Sequence, residues 1–415
     1  MTPLKALALA AVLSSLCACA TEPNILMATP LMYRDQRLDL VSQVPERDRT
    51  TKAEVFYATR RAPVEPGEPG HYGNTPGESV RLGVAQVELG EPGWTYEQLI
   101  ASDLTSSVRD PRRGRVLGVE EVASERDFVA AVDAHLAGTQ NKAVALYVHG
   151  YRVSFDAVSV MMGSMSGYLD WGATIAFQWP TGLFWWNYFT DCPRAEQYVP
   201  DIAHLIEVLG RSQAEWINVL AFSCGGPIVA EALARLRAMH PDEDRAALAR
   251  RYRIGNVVFA ASDIDLKTFA RDLVPAFMDI ARQSTVYISR RDAALGFSKF
   301  VAGASRIGSP NLEDLTVEDI ERLAANPGLQ AVDVTDVRGA HEMGGMRGHG
   351  YWYANEWIAN DVLLSLRYPI PPARRCLVPV RPGSRIWHLP DDYADCVVNT
   401  LIKNYPQVRR QENLR

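Results

Sequence analysis

From residue 124 onward, short unbroken apolar runs alternate with stretches of helical period. "AVALYVHG" (143–150), "ATIAFQW" (173–179), "INVLAF" (217–222), "NVVFAA" (256–261), "TVYISR" (285–290) and "AVDVTDV" (331–337) have the length and composition of buried strands. Between them lie amphipathic segments. "SERDFVAAVDAHLAG" has Ser124 as its N-cap and Gly138 as its stop, and a second helix begins near Asp156. "EQYVPDIAHLIEVLGRS", "GPIVAEALARLRAMH" and "ANEWIANDVLLSLR" complete the helical set. Apolar strands separated by helices imply an α/β fold, a mostly parallel sheet covered on both faces. Such sheets put their chemistry outside the carboxyl ends of the strands.

Ahead of this block, "AEVFYATRR" (53–61) and "RLGVAQVELG" (81–90) predict an N-terminal strand pair. The Pro/Gly-rich "APVEPGEPGHYGNTPGES" between them reads as a loop, and residues 91–120 are weakly patterned. Residues 20–50 are polar and irregular and read as a tether. The expected organisation is a signal peptide over 1–18, a tether over 19–50, an α/β domain over 51–367 with its core at 124–367, and a C-terminal extension over 368–415.

The first residues change the picture of where the chain works. "MTPLKALALAAVLSSLCACATEPN" has one Lys, an apolar run too short to span a bilayer, and then small residues. Leu16-Cys17-Ala18-Cys19 resembles a bacterial lipobox, which implies cleavage before Cys19 and lipidation of its thiol. Ordinary cleavage at the A-x-A-like Ala18-Cys19-Ala20 would instead release a soluble secreted or periplasmic protein. The expectation is an exported protein of the cell envelope, held to the membrane by a lipid anchor at Cys19.

With 415 residues, 47% of them apolar, the chain can bury a large core. Its net charge of −6 and scattered basic residues, "RDPRRGR" (109–115) aside, leave no footprint for a nucleic-acid partner. Past the leader four cysteines remain: Cys192, Cys224, Cys376 and Cys396. Cys376 and Cys396 flank a tail segment that a disulfide could staple in an oxidising compartment. Cys224 reads as a buried small hydrophobe. No Cys/His spacing matches a structural zinc site, and neither metal nor cofactor is expected.

The chemistry centres on "NVLAFSCGGPIV" (218–229). An apolar strand runs straight into Ser223, followed by Cys224, two glycines and Pro227 at a first-turn position. Strand, tight turn and helix in that order hold a serine exposed above the sheet, with small residues needed two before and two after it. Here those are Ala221 and Gly225. A serine nucleophile in this architecture takes its acid and then its histidine from later in the chain. Asp292, just past the "TVYISR" strand, is the preferred acid, although it could equally cap the helix that follows. Asp263 in "FAASDID" is the alternative. Three histidines follow Asp292: His341, His349 and His388. His349 is the preferred base and His341 the alternative, both in the glycine-rich "DVRGAHEMGGMRGHGYWY"; His388 in the tail reads as structural. Oxyanion donors are expected from the amides of Cys224, after the nucleophile, and Tyr151, after His149-Gly150. His149 precedes the nucleophile and reads as structural. The aromatic "WPTGLFWWNYFTDCP" (179–193) could form an acyl-binding wall, with Trp185-Trp186 as a lid, or simply pack on its own domain; Asp191 is placed to pin it.

The motifs "YVHGYRVSF", "AFQWPTG", "LAFSCGG", "FAASDID", "VYISRRDAALGFS", "RIGS" and "GHGYWYANEWIANDVL", in this order, resemble a bacterial family called "alpha/beta hydrolase of unknown function". The resemblance covers about residues 53–366 and includes the lead-in "EVFYATRR". It implies an α/β-hydrolase fold and a Ser223–Asp292–His349 triad. Where the family usually carries His before the serine and a bulky residue after it, this chain has Phe222 and Cys224. The expected function is an exported serine hydrolase acting on a small-molecule or lipid-like carboxylic ester. An amidase or acyltransferase with the same triad, or a non-catalytic envelope protein on the same fold, are the alternatives.

Overall fold

In the computed structural model, the described residues are 26–65, 67–68, 70–102, 114–341, 348–368 and 370–410. The leader, Cys19 and the lipobox-like tetrad lie outside them. Eleven strands form one sheet in the order β10-β11-β9-β8-β7-β6-β4-β5-β1-β2-β3. They are β1 (Lys52–Pro63), β2 (Tyr72–Leu89), β3 (Gly114–Glu121), β4 (Ala143–Val148), β5 (Ala173–Gln178), β6 (Trp216–Phe222), β7 (Ile254–Ala260), β8 (Gln283–Ile288), β9 (Leu329–Asp333), β10 (Val378–Pro379) and β11 (Ile386–His388). From β1 across to β11 every neighbouring pair is parallel. The antiparallel strands β2 and β3 extend one edge, and β10 extends the other.

The strand interiors alternate between two cores, as a period of two requires. Val144, Leu146 and Val148 face one core with α1 (Glu125–Gly138), while Ala145 and Tyr147 face the other with α2 (Phe155–Tyr168). The first core also takes the faces of α4 (Val199–Leu209) and α5 (Gly225–Ala238), which follow the short cap helix α3 (Tyr188–Arg194). The second takes α7 (Glu356–Arg367), which follows α6 (Ala293–Ala302), and reaches the C-terminal α8 (Tyr393–Asn404). After β4 the chain moves outward to β5, then returns to lay β6 on the far side of β4. The connections leaving β4 and β6 therefore diverge to opposite sides, and the crevice opens between them at the carboxyl ends.

Three regions differ from the sequence expectation. The Pro/Gly-rich stretch before residue 80 is not all loop: β2 starts at Tyr72 and pairs with β1 through two register shifts that absorb its Gly and Pro residues. The weakly patterned region ends in β3, an edge strand half exposed on both faces, which has no clean alternation to read. The predicted tether is the largest difference. From Leu26 on it packs on the domain: Leu26, Met27, Leu31 and Leu38 are buried, the Ala28 amide donates to the Tyr353 carbonyl at 2.6 Å, and Leu38 bridges to Arg409. Isolated apolar residues in a polar stretch carry no period, so only the tertiary fold reveals them.

The C-terminal extension is equally integrated. Cys376 and Cys396 form a disulfide, and β11 joins the sheet beside β9. The fully buried Arg375 pairs at 2.9 Å with the fully buried Asp361 of α7, whose other oxygen accepts from the Tyr287 hydroxyl at 2.7 Å. Among the described residues, no helix is long and apolar enough to cross a membrane.

Candidate active site

Ser223 follows β6 with φ +52°, a left-handed value that costs energy for any residue with a Cβ. The turn is held from both sides. The Ser223 amide donates to the Ala260 carbonyl at 3.1 Å, and the Ser223 carbonyl accepts from the amides of Gly226 at 3.0 Å and Asp263 at 3.1 Å. Two glycines make room. A Cβ on Gly225 would run into the Val148 carbonyl of the neighbouring strand, and one on Gly150 would stand 2.8 Å from the Ser223 Cβ. The smallness two residues after the serine is thus a requirement for the helix to approach β4.

The structure brings Ser223, His349 and Asp292 together. His349 Nε2 lies 2.9 Å from Ser223 Oγ, and His349 Nδ1 lies 2.8 Å from Asp292 Oδ2. Asp292 and Ser223 are buried, and His349 nearly so. Asp292 is also the helix cap that its position suggested: its Oδ1 accepts from the amides of Ala294 and Leu295, both at 3.0 Å, at the start of α6. One carboxylate thus serves both readings. Burial pulls the His349 pKa down, but the charge and hydrogen bond of Asp292, with the more remote charge of Asp263, outweigh it, and the net displacement is upward.

Of the alternative residues, Asp263 borders the same cleft but has other partners. Asp263 is spent in a different network: its Oδ2 accepts from the Tyr188 hydroxyl at 2.7 Å, and its Oδ1 accepts from Ser298 at 2.5 Å and pairs with Arg306 at 3.1 Å. His341 lies on an exposed turn after Ala340. His149 is fully buried, stacks on Trp179 at 5.4 Å, and approaches the Gly150 carbonyl with Nδ1 at 2.6 Å. Burial first and the Arg61 charge second hold its pKa well below the usual value, so it stays neutral. His388 is in β11. Phe222, where the family usually has His, lays its ring 4.9 Å from the His349 imidazole and 5.7 Å from Trp352, and so backs the base with an apolar wall.

Cys224 is the N-cap of α5, at the end where amides are unpaired within the helix and the dipole favours negative charge. Tyr151 lies in the loop after β4, next to Gly150, which packs against Ser223. That loop is fixed by groups that sequence reading did not single out. Trp179 Nε1 donates to the His149 carbonyl at 2.9 Å, Thr181 Oγ1 to the Val153 carbonyl at 3.1 Å, and the fully buried Arg61 of β1 to the same carbonyl at 2.8 Å. Cys224 itself is not a free thiol, contrary to the expectation of a small buried hydrophobe. It forms a disulfide with Cys192 of α3, tying the aromatic segment to the residue after Ser223. Asp191 pins the same segment by accepting from the Gly182 amide at 2.6 Å. Tyr188, Ser298 and Arg306 were also missed as site neighbours, although Tyr188 lies in the aromatic segment and Arg306 opens the "RIGS" motif.

Tyr151, Tyr188, Ser223, Asp263, Phe297 and His349 line a cleft of about 40 Å³. A larger groove of about 680 Å³ lies over Ile288, Asp333 and His388 and is lined by none of Ser223, His349 and Asp292. The hydrogen-bonded Ser223 and His349 open on the smaller one. Among the described residues, no group of three or more His, Cys, Asp or Glu could hold a metal ion.

A parallel sheet wrapped by helices, with a strained serine at a strand-to-helix turn, is the α/β-hydrolase fold. The chain belongs to the family described as alpha/beta hydrolase of unknown function, whose model matches residues 124–367. No curated protein matches it. Two solved structures are similar to it. One is a lipase-esterase related protein from Clostridium acetobutylicum, with 11% identity over 55% of this chain and 95% of that one, TM-score 0.30. The other is described as a cell surface hydrolase from Lactobacillus plantarum, with 11% identity over 66% and 95%, TM-score 0.29.

Proposed function

We propose that this protein is a serine hydrolase that cleaves carboxylic esters through an acyl-enzyme. The observation that carries this reading is the continuous line of hydrogen bonds from Ser223 Oγ through both nitrogens of His349 to Asp292, at a serine with φ +52°. Asp292 selects the tautomer in which Nδ1–H donates to it, leaving Nε2 to accept the Ser223 proton as Oγ attacks the carbonyl carbon. The amides of Cys224 and Tyr151 receive the oxyanion, with each such donor worth about 3 kcal/mol. The imidazolium then protonates the leaving alcohol. A water deprotonated by His349 releases the acid and restores Ser223. Tyr151, Tyr188 and Phe297 offer the acyl group an apolar wall.

The test is labelling with a fluorophosphonate and mass mapping of the adduct. A stoichiometric adduct on Ser223, lost in His349→Ala, is the expected result; a folded protein that takes no label would overturn the reading. The leader and the Leu16–Cys19 tetrad support export and lipid anchoring at Cys19, and two disulfides suit an oxidising compartment. The mass of the mature N-terminal peptide tests this: a diacylated Cys19 supports the anchor, and an unmodified residue 21 at the terminus rejects it.

A further inference from the structure

Among the described residues, every exposed Phe and Trp lies in two segments that flank the catalytic cleft. Phe184, Trp186 and Phe189 come from the cap segment, and Phe297 and Phe300 from α6, with Phe300 85% exposed and Val301 beside it 48% exposed. The two segments meet. The Phe189 and Phe297 rings are 5.9 Å apart, Phe184 stacks on Trp186 at 4.6 Å, and Phe300 follows Phe297 by one helical turn. Phe297 and Tyr188 also line the cleft, so the patch continues into the site.

Exposed clustered aromatics of this kind mark an interaction surface. Their charge says what covers it. Segments 180–190 and 293–302 contain no Asp or Glu and one Lys, Lys299, in a chain of net charge −6, and the neighbouring Asp191 is taken up by the Gly182 amide and the Thr190 hydroxyl. Aromatic side chains with a basic residue and no carboxylate suit the headgroup boundary of a bilayer, where Trp and Phe insert and anionic lipid attracts Lys. We infer that this patch docks the protein on a lipid surface, so that the cleft opens directly onto membrane-borne esters. The inference rests on the ester-hydrolase reading for its substrate class, but not for docking itself. The cap is held by the Tyr188–Asp263 hydrogen bond and the Cys192–Cys224 disulfide, so both aromatic segments present one fixed face.

The experiment uses the full chain on vesicles of phosphatidylcholine with a minor share of phosphatidylglycerol. A bimane label on Phe300→Cys should be quenched by brominated acyl chains, whereas labels on Leu117→Cys and Met239→Cys, exposed elsewhere, should not. The double variant Phe300→Asp with Val301→Ser should lose vesicle-borne ester hydrolysis by about tenfold or more, the scale of losing one buried aromatic, and keep its rate on a soluble short-chain ester. Equal quenching at all three positions, no quenching at position 300, or a patch buried in a dimer by light scattering would overturn the inference. Quenching at position 300 without turnover of any ester would leave docking standing and remove the hydrolase reading. Ser223→Ala should dock like the parent protein.

Discussion

Asp292 holds His349 Nδ1 at 2.8 Å with one carboxylate oxygen while the other caps α6 through two amides at 3.0 Å. The two roles separate by substitution. Asp292→Asn keeps an oxygen for the cap but offers the imidazole a neutral amide that can favour the wrong tautomer, so kcat should fall by about 10⁴-fold with little change in stability. Asp292→Ala should lose the same rate and, with the cap gone, about 1 kcal/mol of stability as well. Steady-state kinetics and urea unfolding on both variants check this. Equal stabilities for the two would mean that the cap contributes nothing.

The upward displacement of the His349 pKa sets a pH profile. His349 must be neutral to accept the Ser223 proton, so kcat/KM should rise with pH through a value above the ordinary 6.5. The Asp292 charge is the largest upward push, so in Asp292→Asn the residual activity should titrate at lower pH. A profile that keeps its acid limb in place in that variant would assign the limb to another group.

Arg61 comes from β1, outside residues 124–367, yet its guanidinium donates to the Val153 carbonyl in the loop after β4 and to Asn74 Oδ1 at 2.7 Å. It is fully buried, and the carbonyl oxygens of Gly73, Asn74 and Val153 carry its solvation. Arg61→Met should free the oxyanion loop at a cost of about 1–3 kcal/mol, read as kcat roughly tenfold or more lower with KM little changed. Arg61→Lys should not rescue it, because an ammonium cannot reach the same forked set of acceptors. A folded Arg61→Met protein with the parent kcat would show that the loop holds itself.

The Cys192–Cys224 link closes 32 residues of sequence around the cap. Replacing both cysteines by Ala should lower the unfolding free energy by about 2–4 kcal/mol while Ser223 still takes a fluorophosphonate. Denaturant melts with and without reductant check it: the parent should shift more on reduction than the double variant, which has only the Cys376–Cys396 disulfide left to lose.

How much of this was written in the chain depends on range. Strands β4 to β8 are mainly apolar runs, and the Ser223 turn is a local signal of glycine and proline, so both were readable directly, whereas β9 is Leu329–Asp333 rather than the expected 331–337 because the chain turns after Asp333. Asp292 and His349 followed from chain order and from their places after strand ends. The Cys192–Cys224 pair joins a cap helix to an elbow through tertiary geometry that no spacing encodes. Arg61 looked like one of a pair of ordinary basic residues, because a buried cation is distinguished only by what surrounds it. Leu26 to Leu38 fill gaps in the second core one at a time, without a period. Asp263 was a reasonable acid by position, and only the hydroxyls of Tyr188 and Ser298 and the Arg306 guanidinium show where its charge is used.

The C-terminal extension supplies the last prediction. Arg375 is fully buried against Asp361, and burial pushes the Asp361 pKa up while Arg375 and the Tyr287 hydroxyl pull it back. Removing Arg375 leaves a buried carboxylate without a cation, which typically costs about 3–5 kcal/mol. Arg375→Met should therefore unfold at lower urea. Its deficit should shrink as pH falls, since a carboxyl whose folded pKa is raised above the unfolded value favours the native state only when protonated. Adding Asp361→Leu should recover much of the loss, because a packed apolar pair can replace a buried ion pair. If Arg375→Met alone is as stable as the parent across this pH range, the extension is held by its disulfide and the β9–β11 ladder, and the ion pair is incidental.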